Sequence, residues 1–419
     1  MIRAEGITKV FGSNAESVLP LLEQGKSKDE IQAETGHVVG VRDVNFQIDA
    51  GEVFCIMGLS GSGKSTLIRC VNRLIEPTAG KILLQEDNGE REITAMNEAE
   101  LRDLRKREMS MVFQHFALFP HRTVLANTIY GLDIQRRDAE ESRHIGRKVL
   151  DMVGLGGWES SYPHELSGGM QQRVGLARAL ATEARILLMD EPFSALDPLI
   201  KVTMQQELMR IQKDLQRTIL FITHDLDEAM RIGHHIAIMD AGEVVQIGTP
   251  EDILVNPKTD YVANFVEHAD PTNVLTAGTI ALGFGDEAFE RVDDHGELIY
   301  YARRGHPQGV RFGLDRKQRL QAVIPAGHHD RVDIVPLADI VDRAHEIASN
   351  GRRDDLALRC DAQEVLRLVL KGRSCSTVPT AVTDAEGRLI GVIDEPELIR
   401  GMLDKKGHSK CVAETGVSA

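Results

Sequence analysis

The glycine-rich segment from Gly58 to Thr66 has the residue types and the spacing that bind a nucleotide. It fits the pattern G-x-x-x-x-G-K-[ST] and follows an apolar run, Val53 to Met57, that is typical of a strand. Backbone N–H groups of such a loop surround a phosphate, and the next helix adds its positive dipole end. Lys64 would bring a point charge to the phosphates, and Ser65 would bind Mg2+. The predicted contacts with a nucleoside triphosphate are Gly58, Ser60, Gly61, Ser62, Gly63, Lys64, Ser65 and Thr66.

A second apolar run, Ile186 to Met189, ends in two carboxylates, Asp190 and Glu191. A parallel strand would place both beside the glycine-rich loop. Asp190 would hold Mg2+ through its water shell, and Glu191 would orient the attacking water, because phosphoryl transfer depends on positioning and charge neutralisation. Alone, such a run is more often an ordinary strand end. Together with the loop, it indicates a hydrolytic nucleotide site.

Composition limits the elements that can position these groups. The 419 residues suffice for two or three domains. Up to a change of character near Asp270, short apolar runs alternate with helical patterns, which predicts an α/β sheet domain over residues 1–270. Within it, residues 14–36 resemble an inserted helical hairpin, with a capping-box pattern from Ser27 to Glu30 at the second helix.

Charge and cysteine content argue against several classes of protein. Lys and Arg number 49 against 64 Asp and Glu, a formal net charge of −15, so the cationic footprint of a nucleic-acid-binding protein is missing. Apolar runs are shorter than the roughly 18–20 residues that cross a bilayer, and the N-terminal pattern is not that of a secretory signal. Five cysteines without C-x-x-C spacing are expected to be reduced thiols rather than zinc ligands. The sequence predicts a cytoplasmic protein.

The segment Leu166-Ser167-Gly168-Gly169-Met170-Gln171-Gln172-Arg173 resembles the signature of ATP-binding-cassette (ABC) ATPases. A serine hydroxyl and glycine amides at the start of a helix form an anion site. Further landmarks of that family follow in order: Gln114, the segment Ser194-Ala195-Leu196-Asp197, and His224. Phe11 matches the aromatic residue that stacks on adenine, although a core phenylalanine is the alternative interpretation.

The resemblance implies an α/β fold with a RecA-like core and a helical subdomain at about residues 116–169. In this family the signature of one chain faces the γ-phosphate bound by a second copy, so a homodimer is expected. The implied catalytic residues are Glu191, His224 and Lys64, and the implied metal ligands are Ser65, Gln114 and Asp190. The resemblance adds the following to the nucleotide contacts: Phe11, Gln114, Ser167, Gly168, Gly169, Asp190 and Asp197.

Three further segments of the sequence indicate a branch of the family. The insertion, the run from Ile56 to Thr78 and the run from Phe116 to Leu125 resemble ATPase subunits of bacterial importers for glycine betaine, proline and choline. This implies a membrane permease and, indirectly, a substrate-binding protein as partners, and a peripheral position on the cytoplasmic face of the membrane. Phe116, Leu118 and Phe119 would belong to the cleft that accepts the permease. The alternatives are an ABC importer for another solute, a soluble ABC ATPase acting on nucleic acid or ribosomes, and a nucleotide sensor.

Residues 278–405 resemble a tandem CBS-like α+β regulatory domain, followed by a tail at 406–419. The second copy, at about 350–403, has a helix from Val365 to Leu370, strands over Thr377–Thr383 and Leu389–Ile393, and a turn between them. A degenerate first copy would occupy about 280–345, with a strand signal near 296–299 and a helix over 337–347. Asp394 and Glu397 stand where related modules hold ribose and phosphate, so we expect this half to reject an anionic nucleotide.

Overall fold

The buried apolar runs of the N-terminal part form a six-stranded sheet in the computed structural model of the protein. The structure describes residues 2–86, 89–114, 117–194, 196–267, 269–276, 281–284, 288–295, 298–304, 310–326, 332–336, 356–361, 369, 378–394 and 398. The chain divides into two compact units. The first comprises Met1–Ile253 and Pro257–Val266, and the second comprises Leu254–Asn256 and Glu267–Ala419.

The six-stranded sheet of the first unit brings the carboxyl ends of its parallel strands to one edge. Its order is β10 (Glu243–Gly248), β9 (His235–Asp240), β3 (Val53–Met57), β8 (Thr218–Ile222), β7 (Ile186–Asp190) and β6 (Met109–Val112). All neighbours are parallel except β10, which is antiparallel to β9. Strands β3, β7 and β8 are buried throughout, as expected of a parallel sheet covered on both faces. The carboxyl ends of β3, β6, β7 and β8 therefore meet at one edge, where α/β folds bind ligands.

An antiparallel sheet of four strands carries the insertion. Its order is β2 (Val38–Ile48), β1 (Ile2–Phe11), β4 (Ala79–Glu86) and β5 (Gly89–Glu92). Between β1 and β2 lie a 3-10 turn (Ala15–Val18) and helices α1 (Leu19–Glu23) and α2 (Lys28–Thr35). The expected capping box is present, since the Ser27 side chain accepts from the Glu30 N–H and the Glu30 side chain accepts from the Ser27 N–H. An apolar cluster fixes the insertion to both strands: Val10, Val18, Leu22, Ile31 and Val39.

The remaining helices of this unit follow the strands. They are α3 (Lys64–Val71), α4 (Glu98–Arg107), α5 (Val124–Thr128), α6 (Tyr130–Gln135), α7 (Ala139–Met152), α8 (Gly168–Ala181), α9 (Pro198–Leu215), α10 (Leu226–Ile232), α11 (Pro250–Val255) and α12 (Asp260–Val266). The apolar pattern after the glycine-rich loop continues to Leu74, but α3 ends at Val71, and Arg73 has a left-handed φ of 52°. Among the residues that the structure describes, no helix combines the length and apolar character needed to cross a membrane.

The second unit contains two sheets. One has the order β11 (Leu282–Gly283), β19 (Leu389–Ile393), β18 (Thr380–Thr383), β17 (Leu356–Asp361) and β16 (Asp333–Pro336). Strands β16, β17 and β18 are parallel, and β19 is antiparallel to β18. The other is an antiparallel meander of β12 (Phe289–His295), β13 (Leu298–Arg303), β14 (Arg311–Leu314) and β15 (Leu320–Ile324).

The sequence underestimates the strand content of this unit. For the first copy, the sequence predicts a single strand near 296–299. Among the described residues between 282 and 336, the structure has six strands, β11 to β16. The predicted strands at Thr377–Thr383 and Leu389–Ile393 correspond to β18, which begins at Thr380, and to β19. The predicted helix over 337–347, most of the helix at Val365–Leu370, Glu397 and the tail lie outside the described residues.

Two hairpin turns in the second unit have the same construction. In the turn from β14 to β15, Asp315 Oδ1 accepts from the Arg319 N–H at 3.0 Å, and Arg319 Nε donates to Asp315 Oδ2 at 2.9 Å. In the turn from β18 to β19, Asp384 and Arg388 make the same two bonds, at 2.8 Å and 2.6 Å. The turns also contact each other, because the Leu320 N–H donates to the Gly387 carbonyl and the Leu389 N–H to the Gln318 carbonyl, both at 3.1 Å. The contact relates them reciprocally, as a local two-fold axis would.

Candidate nucleotide site

The glycine-rich loop joins β3 to α3 and closes around its own lysine. Lys64 Nζ donates to the carbonyl oxygens of Gly58 and Leu59, both at 2.8 Å. Only 6% of Lys64 is exposed, and burial lowers the pKa of its ammonium group. Gly58 and Gly63 have left-handed φ angles of 152° and 98°, and a Cβ on either would lie within 2.5 Å of a backbone carbonyl oxygen. The loop thus requires glycine at both positions, and it holds a cation where phosphates would bind.

Asp190 lies at the carboxyl end of β7, next to the first turn of α3. Its Oδ1 accepts from Ser65 Oγ at 2.8 Å, and its Oδ2 lies 3.4 Å from a guanidinium nitrogen of Arg69. The side chain is fully buried, and burial raises the pKa of its carboxyl group. A hydroxyl and a carboxylate oxygen are ligands that Mg2+ uses together with substrate phosphates. Over the described residues, no group of three or more His, Cys, Asp or Glu side chains could form a separate metal site.

Glu191 lies at the point where the ends of three strands meet. Its Oε2 is 3.4 Å from Gln114 Nε2, which follows β6, and 3.1 Å from His224 Nδ1, which follows β8. The backbone of Glu191 is in the left-handed region with a φ of 48°, a conformation that is strained for a residue with a side chain. Its N–H donates to the Ile222 carbonyl at 3.1 Å. The strained turn directs the carboxylate toward an amide and an imidazole, as expected of a group that orients water.

Phe11 ends β1 beside the same loop. Its ring covers Gly40, where a Cβ would lie 2.7 Å from the ring, and Thr66 Cγ2 lies 3.4 Å from the same point. The ring is 39% exposed, which distinguishes it from a core phenylalanine. Lys9 Nζ lies over this ring, 5.3 Å from its centroid. An adenine base could stack on the exposed part of the ring, next to the first turn of α3.

The signature segment and the segment at Asp197 face solvent. Ser167 precedes α8, and its hydroxyl accepts from the Met170 N–H at 3.3 Å as an N-cap. Ser167 and Gly168 are exposed, Gly169 is half-buried, and a Cβ on Gly168 would meet no atom within 4 Å. Asp197 precedes α9, is exposed, and makes no capping bond with its side chain. Ala195 lies outside the described residues. The structure thus brings Lys64, Ser65, Gln114, Asp190, Glu191 and His224 together and leaves the signature segment exposed.

Known proteins resemble this chain over nearly its whole length. The ABC transporter family matches residues 41–194. The glycine betaine transport ATP-binding protein OpuAA of Bacillus subtilis is 55% identical over 95% of this chain and 91% of its own. The glycine betaine/carnitine transport ATP-binding protein GbuA of Listeria monocytogenes is 44% identical over 94% and 95%. The chain belongs to the family of quaternary-amine ABC transporter ATP-binding subunits.

A solved structure supports the fold of this ABC ATPase. A dimeric ATP-binding cassette in a post-hydrolysis state, bound to ADP and Pi, has a TM-score of 0.52 and 31% identity, covering 60% of this chain and 99% of the other. The α/β phosphate-loop fold expected from the sequence is therefore confirmed, and the protein is an ATP-binding ATPase subunit. The CBS-like interpretation of the second unit stays a prediction.

A cleft lies in the same unit of this ABC subunit, between α4, β6 and helices α6 and α8. Its volume is about 510 Å³. Of the three side chains predicted to belong to such a cleft, Phe119 lines it, Leu118 is not among its lining residues, and Phe116 lies outside the described residues. Its further lining includes Leu74, Met111, Phe113, Tyr130, Ile134 and Arg178. The exposed apolar side chains of Leu74 and Ile134 make this a surface suited to a partner.

Two side chains that contact the site were not predicted from the sequence. Arg69 stands four residues after Ser65 on α3, and this spacing places the two on one helix face, which could have indicated its contact with Asp190. Gln172 is 1% exposed, and its Nε2 donates to the Glu191 carbonyl at 3.2 Å. Gln172 shares the buried face of α8 with Leu176 and Leu180. A polar residue on an apolar helix face could have indicated a buried hydrogen bond.

Proposed function

We propose that this ATPase subunit energises the import of glycine betaine or a related quaternary amine, as a homodimer under a membrane permease. The main support is similarity that spans both units, since the relatives named for glycine betaine transport match 94–95% of the chain. The permease and an external binding protein would recognise the cargo, with aromatic rings facing the cation. The protein would lie on the cytoplasmic face of the membrane.

In the proposed reaction, Glu191 is the group that orients and polarises the attacking water. His224 and Gln114 both face its Oε2, at 3.1 Å and 3.4 Å, so they hold the carboxylate in one direction. His224 is also exposed enough to reach a γ-phosphate. Lys64 would leave the carbonyls of Gly58 and Leu59 to bind the phosphates, and Phe11 would stack on adenine.

The donor set at Asp190 fits Mg2+. Ser65 Oγ and Asp190 Oδ1 lie 2.8 Å apart. Ser65 would bind the ion directly, Asp190 would hold it through its water shell, and the Gln114 amide oxygen would be a further ligand. When bound, Mg2+ neutralises charge on the β- and γ-phosphate oxygens. Burial alone disfavours the ionised form of Asp190, so a bound cation would stabilise it as the carboxylate.

A second copy of the chain would complete each site. Ser167, Gly168 and Gly169 present a helix N-terminus to solvent, and a γ-phosphate held by the other copy would fill it. Asp197 would contact the same interface. The dimeric cassette bound to ADP and Pi supports this arrangement by analogy.

The cleft lined by Phe119 would receive the cytoplasmic part of the permease. Closure of the dimer on two ATP molecules would move the cleft, and hydrolysis would let it reopen. The second unit would regulate this cycle as a tandem CBS-like domain. The two matching turns at Asp315 and Asp384 support an internal duplication, and the antiparallel pair of β18 and β19 matches the two strands predicted for the second copy.

The function is tested by reconstituting the protein with its permease and binding protein and measuring ATP hydrolysis with glycine betaine, choline and no ligand. Stimulation by a quaternary amine is expected. Glu191→Gln should bind ATP but hydrolyse it at least about 100-fold more slowly, because it loses the group that orients water. Glu207→Gln, which changes a half-buried carboxylate of α9 that pairs with Arg210, is the matched control and should retain full activity.

The outcomes separate the alternatives. A permease that co-purifies but responds to neither amine would indicate an importer of another solute. Failure to find a permease would favour a soluble ABC ATPase acting on nucleic acid or ribosomes. Persistent lack of hydrolysis by the intact protein would favour a nucleotide sensor, and full hydrolysis by Glu191→Gln would refute the role of Glu191.

A further inference from the structure

The carbonyl group of Glu191 is held from a second element of the fold. Gln172 Nε2 donates to this oxygen at 3.2 Å, and Ser194 Oγ donates to it at 3.1 Å. Ser194 is local, three residues farther along the chain, whereas Gln172 comes from α8. Gln172 is 1% exposed, so its amide reaches the carbonyl from a buried position on α8.

The backbone conformation of Glu191 contributes to the direction of its carboxylate. The residue has a φ of 48°, and such a left-handed conformation persists only when its surroundings impose it. Its N–H donates to the Ile222 carbonyl on β8, and its carbonyl accepts from Gln172 on α8 and from Ser194 in the same turn. Loss of the Gln172 contact would leave this carbonyl to Ser194, so the turn that directs the side chain toward Gln114 and His224 would no longer be anchored to α8 by this bond.

Helix α8 connects this contact to the signature segment. Ser167 caps the helix, and Gln172 lies in its second turn, five residues later. A continuous helix of 14 residues moves as one element, so a shift of its exposed first turn also shifts the Gln172 amide. The first turn is the part that the proposed dimer places on the partner's nucleotide.

We propose that Gln172 is a positioning residue that holds Glu191 in its strained conformation and makes it responsive to the signature end of α8. The proposal rests on the proposed function, because it assigns Gln172 a role through Glu191. In the assembled dimer, the nucleotide bound by the partner would contact the first turn of α8. Through α8 and Gln172 it would then influence Glu191 of the same chain.

The test compares Gln172→Met with wild type in ATP hydrolysis by the full-length protein. Met has a similar size but donates no hydrogen bond. We expect kcat to fall about tenfold, less than the roughly 100-fold that a 1 Å displacement can cause, with KM for ATP within about twofold. Gln212→Met is the control, since Gln212 is also a buried amide of an outer helix that donates to a backbone carbonyl, that of Gly51. It should keep kcat unchanged.

A double-mutant cycle separates positioning from general damage. In the Glu191→Gln background, Gln172→Met should cause no further loss of the residual rate, because the group that Gln172 positions is already gone. A further tenfold loss there, or wild-type kcat in the single variant, would overturn the proposal. If Gln172→Met fails to fold, Gln172→Asn replaces it, because this amide is one methylene too short to reach the Glu191 carbonyl.

These results distinguish the two levels of inference. Full hydrolysis by Glu191→Gln would refute the role of Glu191 itself. Inactive Glu191→Gln together with fully active Gln172→Met would refute only the role of Gln172. Ser167→Ala combined with Gln172→Met tests the link along α8: a combined loss smaller than the product of the two single losses is expected, and simple multiplication of the losses would contradict the link.

Discussion

The helix N-termini proposed to bind phosphate, those of α3 and α8, differ in what surrounds them. At α3, Lys64 and Asp190 are buried and already bonded to groups of the same chain. At α8, Ser167 and Gly168 are exposed, and Gly168 has open space where a side chain would be. The groups at the start of α3 therefore already have partners within one chain, whereas those at the start of α8 are open to a second molecule.

Lys64→Ala should have the largest effect of the changes at these helices. The substitution removes the only cation that the glycine-rich loop itself places on the phosphates, and it leaves the carbonyls of Gly58 and Leu59 without this donor. We expect hydrolysis to fall at least about 100-fold and ATP binding to weaken. Steady-state hydrolysis and fluorescence of a bound nucleotide analogue measure this. Lys81→Ala, on the surface of β4, is the control; normal binding by Lys64→Ala would contradict the assignment.

Ser167→Ala should lower hydrolysis about tenfold while ATP binding by a single chain stays normal, because its defect is placed in the partner's site. It also removes a helix cap, which costs about 1 kcal/mol of stability. Thr123→Ala removes the corresponding hydroxyl cap of α5 and serves as the control for that loss alone.

Mixed dimers test whether the two composite sites of a dimer act independently. When Lys64→Ala and Ser167→Ala chains pair, one composite site carries both defects and the other carries neither. The mixture should therefore hydrolyse ATP faster than either variant alone, if the two sites act independently. Absence of any gain, with dimer exchange demonstrated by labelled chains, would count against independent composite sites.

Asp190→Asn should have the smallest effect on stability, and one of opposite sign. Burial raises the pKa of Asp190, because desolvation disfavours its carboxylate relative to the protonated form. The stability linked to that form is present below the unfolded pKa and is lost as the pH rises through the folded pKa. At neutral pH the neutral asparagine should thus raise the Tm of the nucleotide-free protein, with a smaller gain at acidic pH, while Mg2+-dependent hydrolysis falls. A lower Tm at pH 7 would contradict this electrostatic account.

The sequence was sufficient to locate the nucleotide site but not its internal contacts. The loop at Gly58–Lys64 and the carboxylates at 190 and 191 are local patterns whose chemistry depends on neighbours in the chain, so they were predictable. The contact of Gln172 with the Glu191 carbonyl joins α8 to the end of β7, and only the tertiary packing brings them together. The left-handed φ of Glu191 was unpredictable for the same reason, since glutamate does not favour it.

In the second unit, some strands could be predicted from the sequence and others could not. Strands β18 and β19 were predictable because each is short, apolar and separated from the other by a turn sequence. Strand β12 has the polar sequence Phe289-Glu290-Arg291-Val292-Asp293-Asp294-His295, whose low apolar content does not favour a strand. Its pairing with β13 supplies the stabilisation that its own residues lack. Pairing of this kind is a property of the meander and is not present in any single segment.

The reciprocal bonds between the turns at 315–319 and 384–388 bear on how the second unit folds. Each turn supplies a backbone acceptor to the residue that follows the other, across a separation of about 70 residues. Neither hairpin completes its hydrogen bonding alone, so the two halves should fold and unfold together rather than in succession. A chain that ended after the first half would leave the Leu320 N–H without its acceptor, and the earlier hairpin would lose a support that lies late in the sequence.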